Sequence, residues 1–105
     1  MVLYIMKYDV LPDKMEAFIK WAKEAAIPRI LKIPGLNEFR SYRPVTGSFQ
    51  IATTYEFTDM AACAAWLAHP DYQTMMSDFR PFAANVTAEV WGPSPVVPEP
   101  LRPKK

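Results

Sequence analysis

The side chains best suited to chemistry in this sequence are aromatic rings with polar tips, together with one imidazole and a guanidinium: Tyr4, Tyr55, Trp66, His69, Tyr72, Arg80 and Trp91. Ring faces can hold a planar ligand while a phenol or indole N–H fixes its orientation, so Tyr4, Tyr55 and Trp91 are candidate substrate-binding residues. Tyr8 and Tyr42 belong to the same pool. His69 is the single side chain whose ordinary pKa lies near neutrality, which makes it the natural general acid or base. Arg80, like Arg40, can balance an enolate or carboxylate by paired hydrogen bonds. With Trp66 and Tyr72, His69 and Arg80 form the candidate catalytic set. Each has a plainer use as well: aromatics at these spacings fill cores and dimer interfaces, His69 before Pro70 can close a helix junction, and arginines form surface ion pairs.

Other chemistries lack material. There is no Cys-x-x-Cys, His-Glu-x-x-His or Gly-x-Ser-x-Gly, and the chain has only three glycines. One histidine and one cysteine, Cys63, cannot assemble a metal centre within one subunit, so neither cofactor nor metal is expected. Cys63 is expected to be a small core residue, and its lack of a disulfide partner suits a reducing cytoplasm. Twelve basic residues stand against eleven acidic ones, which is not the footprint of a nucleic-acid binder. No apolar run approaches the ~20 residues that span a membrane, so no membrane association is expected.

These residues must be positioned by a small fold. A chain of 105 residues is one domain's worth, and a monomer of that size hides only about 60–65% of its unfolded surface. Self-association would add burial, and half the residues are apolar. Val2, Tyr4, Met6, Tyr8 and Val10 share one face of a first strand. Met15, Phe18, Ile19, Ala22, Ala25, Ala26 and Ile30 recur at helical spacing behind Pro12, and Pro28 is expected to kink that helix or turn its end irregular. Strand-like runs Leu36 to Tyr42 and Phe49 to Phe57 flank a Pro- and Gly-containing turn, with Phe49, Ile51, Thr53, Tyr55 and Phe57 on one face. Asp59 is an N-cap for a helical region that His69-Pro70 splits in two, and Asn85 to Trp91 reads as a last strand.

The expected fold class is therefore α+β: a ferredoxin-like βαββαβ chain with an antiparallel sheet, spanning residues 1–92 as a single domain. Residues 93–105, with five prolines in thirteen positions, form a proline-rich C-terminal tail. Either it hangs loose, or Val96, Val97 and Leu101 anchor it on a partner subunit.

Several short stretches together resemble the antibiotic-biosynthesis-monooxygenase-like group of dimeric α+β barrel proteins. They are Pro12-Asp13-Lys14 leading to Phe18-Ile19-Lys20-Trp21, then Ile33-Pro34-Gly35-Leu36, Tyr55-Glu56-Phe57-Thr58-Asp59 and Trp66-Leu67-Ala68-His69-Pro70. The resemblance implies a homodimer with a cleft between sheet and helices in each subunit. Its haem-degrading members have a tryptophan matched by Trp66, but their first-strand asparagine falls at Lys7 and their haem-ligating histidine at Met76, so haem degradation is not expected. Its cofactor-independent members imply a small monooxygenase for a phenolic or polyketide-like aromatic compound, with Trp66, Tyr72 and Arg80 as the nearest counterparts of their site. A non-catalytic ligand-binding or dimerisation module, and an isomerase or cyclase using His69, are the alternatives.

Overall fold

The computed structural model describes residues 1–104; Lys105, the last residue of the expected tail, lies outside the described residues. Four strands form one antiparallel sheet in the order β2-β3-β1-β4, with β1 at Val2–Val10, β2 at Leu36–Tyr42, β3 at Ile51–Phe57 and β4 at Ala83–Trp91. Helices α1 (Met15–Trp21) and α2 (Ile27–Ile30) follow β1, and α3 (Met60–Leu67) and α4 (Pro70–Phe79) follow β3. This is the ferredoxin-like βαββαβ fold, and strand parity decides where its core lies. Val2, Tyr4, Met6, Tyr8 and Val10 on β1 are all buried, together with Thr53, Tyr55 and Phe57 on β3, and the helices cover that face. The opposite face, with Leu3, Lys7, Thr54 and Trp91, carries no helix among the described residues.

The helix ends follow local chemistry. Asp59 caps α3, its Oδ1 accepting from the Ala62 N–H at 2.8 Å. His69 caps α4 in the same way, Nδ1 accepting from the Asp71 N–H at 3.0 Å, and Pro70 takes the first helical position, where a missing N–H costs nothing.

The irregularity expected at Pro28 is present, but it lies ahead of the proline rather than at the helix end. The chain widens into a π-helix over Ala22–Ala26, where the Ile27 N–H reaches back five residues to the Ala22 carbonyl, and then resumes as α2. A proline lacks the N–H that would bond the carbonyl four residues earlier, and its ring would crowd that carbonyl. Widening one turn ahead of it lets the helix pass through. Strand limits shift slightly: β3 opens at Ile51 rather than Phe49, and β4 begins at Ala83 with a bulge opposite Tyr8. There Asn85 takes φ +56°, a left-handed position that asparagine tolerates, and its side-chain amide donates to Asp9 Oδ2 at 2.9 Å. Past Trp91 the chain carries no helix or strand as far as Lys104.

Gly35 locks the α2–β2 turn against α3. Its φ is +79°, and a Cβ there would lie 2.6 Å from the Ala62 Cβ, an atom with no freedom to swing aside. Its carbonyl accepts from both the N–H and the hydroxyl of Thr58. Gly35→Ala is expected to cost about 1–3 kcal/mol of stability through backbone strain plus displacement of α3, read as a lower denaturation midpoint with unchanged slope.

Candidate functional site

Between the sheet and the helices lies a cavity of about 130 Å³, partly open to solvent. Its roof is apolar: Phe18 and Trp21 of α1, Ala22 and Ala26 of the π turn, and Met75 and Phe79 of α4. The widened turn thus contributes directly to the roof, in keeping with the frequent placement of π segments at sites. Its floor is the helix-facing side of the sheet, where Met6 and Tyr8 of β1 lie beside Thr53 and Tyr55 of β3 and Phe39 and Ser41 of β2. Cross-strand register puts Met6, Thr53 and Ser41 in one row and Phe39, Tyr55 and Tyr4 in the next.

Hydroxyls are the floor's polar content. Thr53 is the one buried polar side chain without a ring among the described residues. No hydrogen bond ties the hydroxyls of Tyr8, Thr53 or Tyr55 to another described residue, and the one side-chain polar atom sealed from solvent without a partner, among the described residues, is Trp66 Nε1. The three hydroxyls therefore face open space. Burial pushes the Tyr8 phenol up to about 12. Tyr55 is held above the ordinary tyrosine range too, by burial first and then by the nearness of Tyr8 and Tyr72. At neutral pH both are protonated, so they can donate hydrogen bonds but cannot act as bases.

The residues singled out in the sequence separate into three groups. Tyr4, Tyr55, Trp66 and Tyr72 form one connected cluster: Tyr4 and Tyr72 share a hydroxyl hydrogen bond of 2.7 Å, the Tyr4 and Tyr55 rings are 5.4 Å apart, and Trp66 meets Tyr72 edge-on at 5.7 Å. Of these, Tyr55 reaches the cavity while the others pack behind it. Tyr4 is raised above the ordinary range by burial and by its bond to Tyr72. His69 lies at the surface, its ring nearly parallel to Trp66 at 6.2 Å and its Nδ1 occupied in capping α4. Arg80 is exposed on the turn after α4 and does not line the cavity, and Trp91 sits on the helix-free face with Lys7 over its ring at 5.7 Å. Cys63 is fully buried with its thiol pushed up by burial, an inert core position.

The cavity takes in Tyr8 of the wider aromatic pool and brings in residues that the sequence reading did not single out, above all Thr53, Trp21 and Met76. One signal for Thr53 was present: it is the single non-aromatic polar residue on the face shared by Ile51, Tyr55 and Phe57.

The fold agrees with comparison to known proteins. The family model for antibiotic biosynthesis monooxygenases matches residues 1–78. The chain belongs to this family. Among solved structures, a putative antibiotic biosynthesis monooxygenase from Deinococcus radiodurans superposes with a TM-score of 0.76 at 9% identity, covering 100% of both chains. One from Nitrosomonas europaea gives 0.69 at 20% identity, over 88% of this chain and 97% of its own. A dimeric ferredoxin-like protein of unknown function from Jannaschia sp. CCS1 gives 0.69 at 18% identity, over 86% of this chain and 96% of its own. At these identities the likeness is one of fold. No match is found among curated proteins.

Within the antibiotic biosynthesis monooxygenase family, the residues here do not fit a histidine-ligated haem. Met76 lines the cavity, His69 stands outside it as a helix cap, and Lys7 projects from the opposite face toward Glu89 at 3.9 Å. No described helix is long and apolar enough to cross a membrane.

Proposed function

We propose that the cavity binds one ring of a phenolic aromatic compound and that the protein oxidises it with dioxygen, the substrate supplying all the electrons. The observation that carries this reading is the hydroxyl floor under an apolar aromatic roof, in a chain of this family. The volume limits the ligand: an apolar cavity of about 150 Å³ is known to take benzene, so about 130 Å³ encloses one ring, and fused rings would extend through the open side. This narrows the polyketide-like expectation to compounds with one end small enough to enter.

The lining constrains the chemistry. Its polar groups are hydroxyls, so the substrate's proton must leave to solvent through the open side, and the substrate must be acidic enough to allow this. Tyr8 and Tyr55 then donate to the phenolate or enolate oxygen, favouring the electron-rich form that reacts with dioxygen. In the overall change, an activated methylene carbon loses both its hydrogens and becomes a carbonyl, while one molecule of dioxygen is consumed and one molecule of water is released. One oxygen atom enters the substrate and the other leaves as water with the two hydrogens, and the four electrons come from the carbon.

Oxygen uptake with an anthrone or naphthol as probe tests this. Tyr8→Phe and Tyr55→Phe are expected to raise KM or lower kcat by about tenfold each, the worth of one hydrogen bond to a charged oxygen. Binding without oxygen uptake supports a second reading, a non-catalytic carrier of the same ligand, which the protonated state of both phenols also favours. Absence of binding removes both.

The same proposal includes a homodimer formed through the helix-free face of the sheet. Ile5 on that face is already buried by its neighbours, Leu3, Ala52 and Thr54 are half-covered, and Tyr42 and Trp91 are about half exposed. Val96 and Leu101, almost fully exposed on the tail, have apolar surface to lay on a partner. Sedimentation equilibrium is expected to give twice the 12.0 kDa chain mass, and Thr54→Arg, a charge at the centre of that face, is expected to return it to 12.0 kDa.

A further inference from the structure

We infer a second ligand site, lined by Trp66 and apart from the first cavity, that takes a small carboxylate carried on a flat apolar body. A pocket of about 130 Å³ lies where the end of α2 meets the α3–α4 junction, and none of its residues lines the first cavity. Its apolar part is the Trp66 indole with Ile33 and Pro34. Its polar part is Arg29, Lys32, His69 and Asp71.

The donors outnumber the acceptors there. Trp66 Nε1 is buried and has no hydrogen-bond partner, in a side chain only 6% exposed. An orphaned N–H in a buried position is costly enough that an acceptor is normally supplied, by the protein or by something bound. Arg29 has one acidic neighbour, Asp78 at 3.8 Å, with both side chains about half exposed. Lys32 has no acidic partner within bridging distance among the described residues. Because His69 Nδ1 accepts from the Asp71 N–H, the neutral imidazole carries its proton on Nε2 and has that N–H to give. Asp71 is the one anionic side chain of the pocket.

Charge selects the ligand class. Two cations against one carboxylate suit a monoanion, whereas Asp71 works against a phosphate dianion. Guanidinium and carboxylate match geometrically, and Ile33, Pro34 and the indole give a flat body apolar contact that acetate cannot use. His69, surface-exposed and held by one hydrogen bond, stacks over the indole, and its rotation would open that ring face to the ligand's flat body.

The site is independent of what the first cavity does, and its test needs no turnover. In the folded protein labelled with nitrogen-15, the Trp66 indole resonance is assigned by its loss in Trp66→Phe, and benzoate, acetate, inorganic phosphate and benzamide are titrated separately. Benzoate is expected to shift the Trp66 indole proton saturably downfield, with acetate, phosphate and benzamide at least tenfold weaker. Lys32→Ala and Arg29→Gln, both surface changes, are expected to weaken benzoate about tenfold each, as for loss of one charge-assisted hydrogen bond. An unmoved Trp66 resonance overturns the proposal. So does a shift confined to Trp21, which reports the first cavity, or a benzoate shift that survives Lys32→Ala and Arg29→Gln together. Phosphate or benzamide binding as tightly as benzoate overturns the ligand class.

Discussion

Raising the pH from about 10 to about 12 is expected to unfold this protein, because three of its core side chains are phenols that the fold keeps protonated. Tyr4, Tyr8 and Tyr55 are each no more than 6% exposed, and each is held above the ordinary tyrosine value of 10.0. The sign follows from proton binding. Below about 10 the phenols are protonated in both states and the contribution is fully present. Above it the unfolded chain releases protons that the folded one retains, so stability falls as pH rises, for Tyr8 until about 12. For Tyr8 alone the loss is about 3 kcal/mol, at ~1.4 kcal/mol for each pH unit between its unfolded and folded values. Tyr4 and Tyr55 add to it, against a total stability of ~5–15 kcal/mol for a domain of this kind.

Far-ultraviolet circular dichroism and tyrosinate absorbance followed together against pH check this. Their main transitions are expected to coincide, since the buried phenols ionise only on unfolding. Tyr8→Phe keeps the ring packed against Phe79 at 4.7 Å and removes a hydroxyl that no protein group uses, so it is expected to move the alkaline midpoint upward. Tyrosinate appearing well before loss of helix would mean that the phenols titrate in place, and that the cavity is wetter than its lining implies.

The sheet was legible in the sequence because period-two alternation is a direct readout of a two-faced element. The parity of Val2, Tyr4, Met6, Tyr8 and Val10 is the parity of burial, and Thr53, Tyr55 and Phe57 continue it on β3. Punctuation was legible where the chemistry is local, as at Asp59 and at His69-Pro70. At Pro28 the irregularity was legible but not its form: whether a proline ends a helix or is passed depends on whether the preceding turn can widen, and that turn belongs to the packed roof of the cavity. The site was legible only in part. Residue type suggested Trp66, His69, Tyr72 and Arg80, but which of them meets open space is decided by packing between elements distant in sequence. Tyr72 spends its hydroxyl on Tyr4, His69 spends a ring nitrogen on its own helix, and the open space falls instead beside Thr53, Tyr8 and the alanines of the π turn.

Those alanines give the sharpest test of where the ligand sits. Ala26 is 5% exposed, lines the cavity, and is held on a turn that tolerates leucine. Ala26→Leu puts three further carbon atoms into a space of about 130 Å³, enough to displace much of one ring. In the free protein the added side chain fills empty volume, so folding stability is expected to stay within about 1.5 kcal/mol of the parent. With the ligand present the same atoms compete for filled space, at a cost of about 1–3 kcal/mol, so affinity is expected to fall by about fivefold to a hundredfold. Oxygen uptake should fall with it at fixed substrate concentration. Ala65→Leu, an exposed site on α3 away from the cavity, serves as the control and is expected to change neither quantity. If Ala26→Leu stays folded and binds an aromatic phenol as tightly as the parent, the ligand is not under the π turn, and the hydroxyl floor is a structural feature of the sheet rather than a recognition surface.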